Sequence, residues 1–295
     1  MTSRLEFGLL GDLEITNGSE RIELGSGKLR VLLATLLLRA NHTVSVDELV
    51  DRLWGAHAPK GARTTMQTYV MRLRRVLGDD GAEPELIHTR PGGYLIGIRP
   101  EQLDLHRFRE LIERETFHEA LRLWRGPALV DVPSESLRRD EVPRLAEERL
   151  QALERRIELD LRQGRHRELV VELAALTREH PLRERFWLQL MLALFRSGRQ
   201  AEALERYREV RDLLVEELGV EPGAELRALH AAMLREDPSL HAAEQTRTGG
   251  PPDDRAWWAT ASGPWSRGWG RCGWQRARGR DRWARAWPTP AGPRR

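Results

Sequence analysis

A single cysteine, two lysines and no apolar run near the length of a bilayer span are the first features of this 295-residue chain. Cys272 alone closes no internal disulfide and builds no zinc cage, so neither staple is available and packing must hold the fold together. Without roughly 20 consecutive apolar residues there is no transmembrane helix to expect, and the N-terminus lacks the order of a signal peptide, so a cytoplasmic protein is expected. Lysine stands only at 28 and 60, leaving 46 of 48 cations as arginine, a bias that suggests a GC-rich genome and not a mechanism. The formal charge of +3 is equally uninformative: residues 241–295 hold eleven Arg against four acids, so residues 1–240 are net negative by four. Any case for an anionic partner must therefore come from local pattern.

With 40% hydrophobic and 32% charged residues the chain can bury two ordinary cores. Residues 5–24 alternate and turn like a small antiparallel sheet, through Leu5, Phe7, Leu9, Leu13 and Ile15, an Asn17-Gly18 turn, then Ile22 and Leu24. Residues 28–39 read as an apolar helix. Ser45 ahead of Val46-Asp47-Glu48 is a capping-box start for a second helix to Trp54, and 62–77 form a third. Leu86 to Ile98 reads as a hairpin around Pro91-Gly92-Gly93. Sheet, three helices and hairpin predict a winged helix over 1–100.

From 103 to 236 the pattern is helical, and Gly164-Arg165 laid on Gly198-Arg199 reveals a 34-residue offset. It pairs Leu153 with Trp187, Ile157 with Met191, Leu161 with Phe195, Leu169 with Ala203 and Leu173 with Tyr207, the tetratricopeptide order. An ordinary helical bundle is the alternative. The expected fold is mainly α with a small β component: an α+β winged helix over 1–100, an all-α tetratricopeptide-like domain over 101–240, and a disordered tail of Arg, Trp, Gly and Pro over 241–295.

The third helix is the most informative stretch. Met66, Val70, Leu73 and Leu77 share one face at 100° per residue, leaving Thr64, Thr65, Thr68, Tyr69, Arg72 and Arg75 on the other side. Hydroxyls and arginine suit base edges and phosphates in a major groove. Gly55 to Gly78 contains five cations (Lys60, Arg63, Arg72, Arg74 and Arg75) and no acid, a local basic surface for phosphate. A merely solvated helix face is the competing reading. Arg90 sits at the hairpin tip, where a wing meets the minor groove or backbone phosphate, with a plain edge hairpin as its alternative. Trp54 is expected to pack between helices and not to stack on a base. Gly25-Ser-Gly-Lys28 is not a P-loop, because Ile22 and Leu29 stand where that motif needs Gly and Ser or Thr. The nine His show no ligand spacing and no Ser-His or Cys-His arrangement, so no enzyme, cofactor or metal is expected.

The segments Leu29–Arg39, Val46–Gly55, Met66–Arg75 and Arg90–Leu95 resemble the Streptomyces antibiotic regulatory proteins with their OmpR-type winged helix. Leu123–Ala128, His180–Arg185, Ser197–Leu204 and Glu217–Gly223 are similar to the bacterial transcriptional activator domain of that family. The resemblance implies an activator that binds direct repeats upstream of a promoter, usually in a secondary-metabolite cluster, as two protomers on double-stranded DNA, and helps recruit RNA polymerase. It implies base reading by Thr64, Thr68, Tyr69 and Arg72, phosphate contacts by Thr65 and Arg74, and a wing role for Arg90; Arg63 and Arg75 join the phosphate-facing set. Between Phe108 and Trp124 the family usually carries a longer helical hairpin, so the first repeat is expected to be incomplete. A protein-interaction scaffold, or nucleic-acid binding through the Arg-Trp tail by stacking, are the rival readings.

Overall fold

The computed structural model describes residues 5–81 and 85–241, which belong to one compact unit. The expectation of a disordered tail falls outside the described residues.

Strands β1 (Leu5–Gly8), β2 (Glu14–Asn17) and β3 (Glu20–Arg21) form an antiparallel sheet in the order β1-β2-β3, with Phe7 opposite Ile15 and both buried beneath it. Helix α1 (Gly27–Leu38) follows, and its near-continuous apolar run is explained by position: it packs against α2 (Val46–Trp54), α3 (Ala62–Val76) and the strand Gly93–Ile96, so almost every face is covered. Ser45 caps α2 as its sequence predicts, its hydroxyl accepting from the Glu48 amide at 3.1 Å. A second sheet runs β4-β6-β5, where β5 (Ile87–Arg90) and β6 (Gly93–Ile96) are the expected hairpin. Strand β4 (Val44–Ser45) pairs with Tyr94 and Gly93 and was not expected, being only two residues long. Gly93 is demanded here, because a Cβ at that position would collide with the Val44 carbonyl oxygen.

Downstream come α4 (Asp104–Glu113), α5 (Phe117–Arg122), α6 (Glu135–Asp140), α7 (Val142–Arg162), α8 (His166–Glu179), α9 (Glu184–Arg196), α10 (Gln200–Leu218) and α11 (Ala224–Leu234). The 34-residue offset has a structural counterpart: α7 turns into α8 at Gly164 with φ 79°, and α9 turns into α10 at Gly198 with φ 76°. Ile157, Met191, Leu161, Phe195, Leu169, Ala203, Leu173 and Trp187 are buried as the pairing requires, whereas Leu153 is only half-buried. Tyr207 is half-buried, its ring stacked on His230 at 3.8 Å. Helix α9 lies between α8 and α10 and buries ten consecutive residues, Phe186 to Phe195. Arg196 at its end is pulled down to about 10 by burial and donates to the carbonyls of Leu161 and Leu240 at 3.0 and 2.8 Å. Before Trp124, α4 and the six-residue α5 form a small hairpin with Glu115 at φ 58° between them.

The expected boundary near residue 100 falls in a short 3-10 turn, Pro100–Gln102, but the core does not stop there. One buried cluster runs from Leu5 through Phe108 and Leu137 to Ala152. Asp104 is the principal tie: its carboxylate accepts the amides of Leu9 at 2.8 Å and Leu10 at 3.0 Å and is met by Arg125 at 3.0 Å. The Arg125 amide in turn donates to the Leu10 carbonyl at 2.8 Å, and its guanidinium occupies the space a Cβ on Gly8 would need. Further round the seam, Asp131 accepts from the Leu13 amide at 2.8 Å and from Arg30 at 2.9 Å. Arg52 of α2, only 11% exposed, meets Asp140 at 2.7 Å, while the Ser134 hydroxyl donates to the Arg52 carbonyl at 2.9 Å.

Burial pushes the Asp104 carboxyl above its usual range, against the pull of the two amides and Arg125. Loss of the acceptors therefore matters more than loss of the charge. Asp104→Ala leaves two buried amides and an arginine unpaired and is expected to destabilise by about 3 kcal/mol, whereas Asp104→Asn, which keeps one oxygen, costs less than half as much. Urea unfolding of both variants measures this, and equal losses would overturn it.

Candidate nucleic-acid interface

Helix α3 divides as its period predicts. Ala62, Met66, Val70 and Leu73, with Leu77 just beyond, are buried against α1 and α2, and Arg63, Thr64, Thr65, Gln67, Thr68, Met71, Arg72 and Arg75 are exposed. Tyr69 is half-buried: its ring lies 6.1 Å from that of Trp54, with the Arg72 guanidinium 5.9 Å from its centre. Trp54 packs on the core and on Lys28, whose ammonium sits 5.6 Å from the indole and donates to the Leu53 carbonyl. Tyr69 thus lies between Trp54 of α2 and the Arg72 guanidinium.

The hairpin projects beside α3 and is fixed to it twice. Buried Asp79, just past the helix, accepts the amides of Glu85, Leu86 and Ile87 at 2.7, 2.9 and 2.7 Å, which sets where β5 begins. Arg74 donates through Nε and Nη2 to the Ile87 carbonyl at 3.1 and 2.6 Å and through Nη2 to the Thr89 hydroxyl at 3.0 Å. Arg74 was expected to meet phosphate; its guanidinium is instead turned to the hairpin, and the side chain is only half-exposed. Arg90 stands exposed at the tip, opposite Gly93, and the turn is closed by Gly92 at φ 77°.

The remaining site residues are free to face a ligand in different degrees. Arg63 is paired to Asp47 at 2.7 Å, but both side chains are more than two-thirds exposed, so the pair is weak and a phosphate can compete for the guanidinium. Thr68 donates to the Thr64 carbonyl at 3.3 Å, a back-bond typical of an outward threonine. Thr64, Thr65, Arg75 and Arg90 make no side-chain hydrogen bond or ion pair among the described residues. Sequence reasoning missed Asp79, because a buried acid in a turn has the same sequence as a solvated one. It also passed over Gln67 and Met71, whose exposure follows from the same helical period that found the core stripe.

Among the described residues no group of three or more His, Cys, Asp or Glu is placed to hold a metal, and no helix is long and apolar enough to cross a membrane. The surface is one of cations and hydroxyls on a braced helix, with an arginine-tipped hairpin locked alongside.

Comparison with known proteins agrees in both halves of the chain. Residues 19–96 match the model described as transcriptional regulatory protein, C terminal, and residues 103–234 match the bacterial transcriptional activator domain. Regulatory protein DnrI of Streptomyces peucetius is 41% identical over 256 residues, 80% of this chain and 94% of DnrI. Regulatory protein AfsR of Streptomyces coelicolor is 43% identical over 251 residues, but this chain spans only 25% of its length. The solved structure of Mycobacterium tuberculosis EmbR in complex with a low-affinity phosphopeptide superposes with a TM-score of 0.74 at 36% identity, covering 83% of this chain and 70% of that one. With its OmpR-type winged helix joined to a helical bacterial transcriptional activator domain, the chain belongs to the Streptomyces antibiotic regulatory protein family of transcriptional regulators.

Proposed function

We propose that this regulator is a cytoplasmic, sequence-specific DNA-binding activator of a secondary-metabolite cluster, which works by binding and not by catalysis. Helix α3 enters the major groove, with Thr64, Thr68, Tyr69 and Arg72 toward base edges, Tyr69 also lying against Arg72. Arg63, Thr65 and Arg75 meet phosphates, and Arg90 reaches the minor groove or the adjacent backbone. The observation that carries this reading is the acid-free exposed face of α3 held rigidly beside Arg90 by Arg74 and Asp79. Two elements at a fixed separation are what a duplex needs when one reads a groove and the other grips the next backbone. Arg74 is accordingly assigned a positioning role, in place of a phosphate contact.

Two protomers sit head to tail on direct repeats, spaced about one helical turn, roughly 10 to 10.5 base pairs, and the helical domain presents a surface to RNA polymerase. Footprints on a natural promoter are expected to lack dyad symmetry; a palindromic protected site would overturn the arrangement. A gel shift with the full chain against specific and random duplexes tests the reading as a whole, and equal affinity for both would leave the helical-repeat scaffold as the better account.

Arg72 and Arg74 separate reading from positioning, since the helical period sets them about 160° apart. Arg72→Ala is expected to cost about 1 to 3 kcal/mol on the operator and to relax preference at one base pair, with little change on random DNA. Arg74→Ala removes one of the two ties between β5 and the helix, so amide exchange over residues 88–90 should accelerate while affinity falls on operator and random DNA alike. Hydrogen exchange with binding measured on both duplexes decides the pair; unchanged exchange in Arg74→Ala would remove its positioning role.

A further inference from the structure

Met71 is 66% exposed, the one large hydrophobic side chain so exposed among the described residues up to Leu103. It takes no part in the buried cluster that absorbs Met66, Val70 and Leu73 from the same helix. Thr64, Thr68, Met71 and Arg75 follow one another at i, i+4, i+7 and i+11, and so fall within about 60° on the side opposite the core stripe. Met71 thus lies on the outward face, at one edge of this arc and among hydroxyls and guanidinium groups, with its thioether outside the core.

We propose that Met71 is a specificity-determining residue that recognises the C5 methyl of a thymine in the major groove; the inference rests on the DNA-binding reading above. An unbranched side chain ending in a polarisable thioether adapts to a convex methyl group, and apolar contact is how that methyl is read. The same contact discriminates against cytosine, whose N4 amino donor would be dehydrated against an apolar wall without an acceptor. Neighbouring Thr68 and Arg75 hold the flanking groups in register, so the methyl contact is made at one defined base pair. Met71 is two-thirds exposed and lies outside the buried cluster, so its replacement is expected to change stability little.

The test uses the full chain and an operator selected from random duplexes. Each thymine of that operator is replaced singly by deoxyuridine, which removes only the C5 methyl. The wild-type protein should lose about fourfold in affinity at one position, the worth of one buried methyl group. Met71→Ala should bind thymine and deoxyuridine equally there, Met71→Leu should retain the sensitivity, and Arg72→Ala should retain it as well, because it reads a different base. A wild-type loss that persists unchanged in Met71→Ala, or an operator with no methyl-sensitive position, would overturn the inference while leaving DNA recognition intact. Failure to select any preferred sequence would overturn the DNA-binding reading itself, and the inference with it.

Discussion

The winged helix of this protein has no independent floor; it stands on a buried carboxylate that belongs to the next domain. Asp104 opens α4, yet its oxygens are spent on the amides of Leu9 and Leu10 and on Arg125. A strand leaving its sheet must find partners for those amides, since unpaired buried donors cost about 1 to 3 kcal/mol each. Here the partner comes from 95 residues downstream. Arg125 then returns the connection by donating its own amide to Leu10, over a glycine whose missing side chain leaves room for the guanidinium. The arrangement explains why a chain of two recognisable modules shares one core from Leu5 to Ala152.

That shared core fixes the recognition surface as well. Helix α2 is fastened to α6 through Arg52, Asp140 and Ser134, α1 is fastened through Arg30 to Asp131, and α3 packs on both α1 and α2. The hairpin is then set on α3 by Arg74 and Asp79. Most of these steps are short, directional contacts in a partly or wholly buried setting, where hydrogen bonds to charged groups are worth more than on the surface, although Asp140 itself is exposed. The ion pairs on the outside of the site are of the opposite kind: Arg63 and Asp47 are both solvated, and such a pair is readily exchanged for a phosphate.

Much of this was legible in the sequence, and the part that was not has a common cause. The face of α3 that packs, the capped start of α2, the Gly-rich hairpin turn and the 34-residue offset all follow from local chemistry or period, which a sequence displays directly. Met71 was legible by the same rule, since the period that places Met66, Val70 and Leu73 inward places it outward. Asp104, Asp79 and Arg74 were not legible. An acid at the start of a helix is expected as a solvated charge favouring the helix N-terminus, and an arginine on a basic helix is expected to face an anion; only the arrival of Leu9, Ile87 or Thr89 turns these groups inward. The two-residue strand β4 was hidden for a related reason, since its existence depends on Gly93 allowing β6 close to Val44.

The helical domain completes the logic. Its central helix α9 buries every residue from Phe186 to Phe195 between α8 and α10, so it cannot yield without unpacking both neighbours. The repeat stacks outward from α7, which packs on α5 and α6, and α6 in turn meets α2 of the winged helix. An array whose units contact only their neighbours transmits position from one end to the other without a hinge. If α3 engages DNA as proposed while a second surface engages another partner, such stiffness is an advantage, because a flexible joint would add an ordering cost whenever both surfaces were engaged. The departure from that economy is at the outer face of α3, where side chains are left unpacked and exposed.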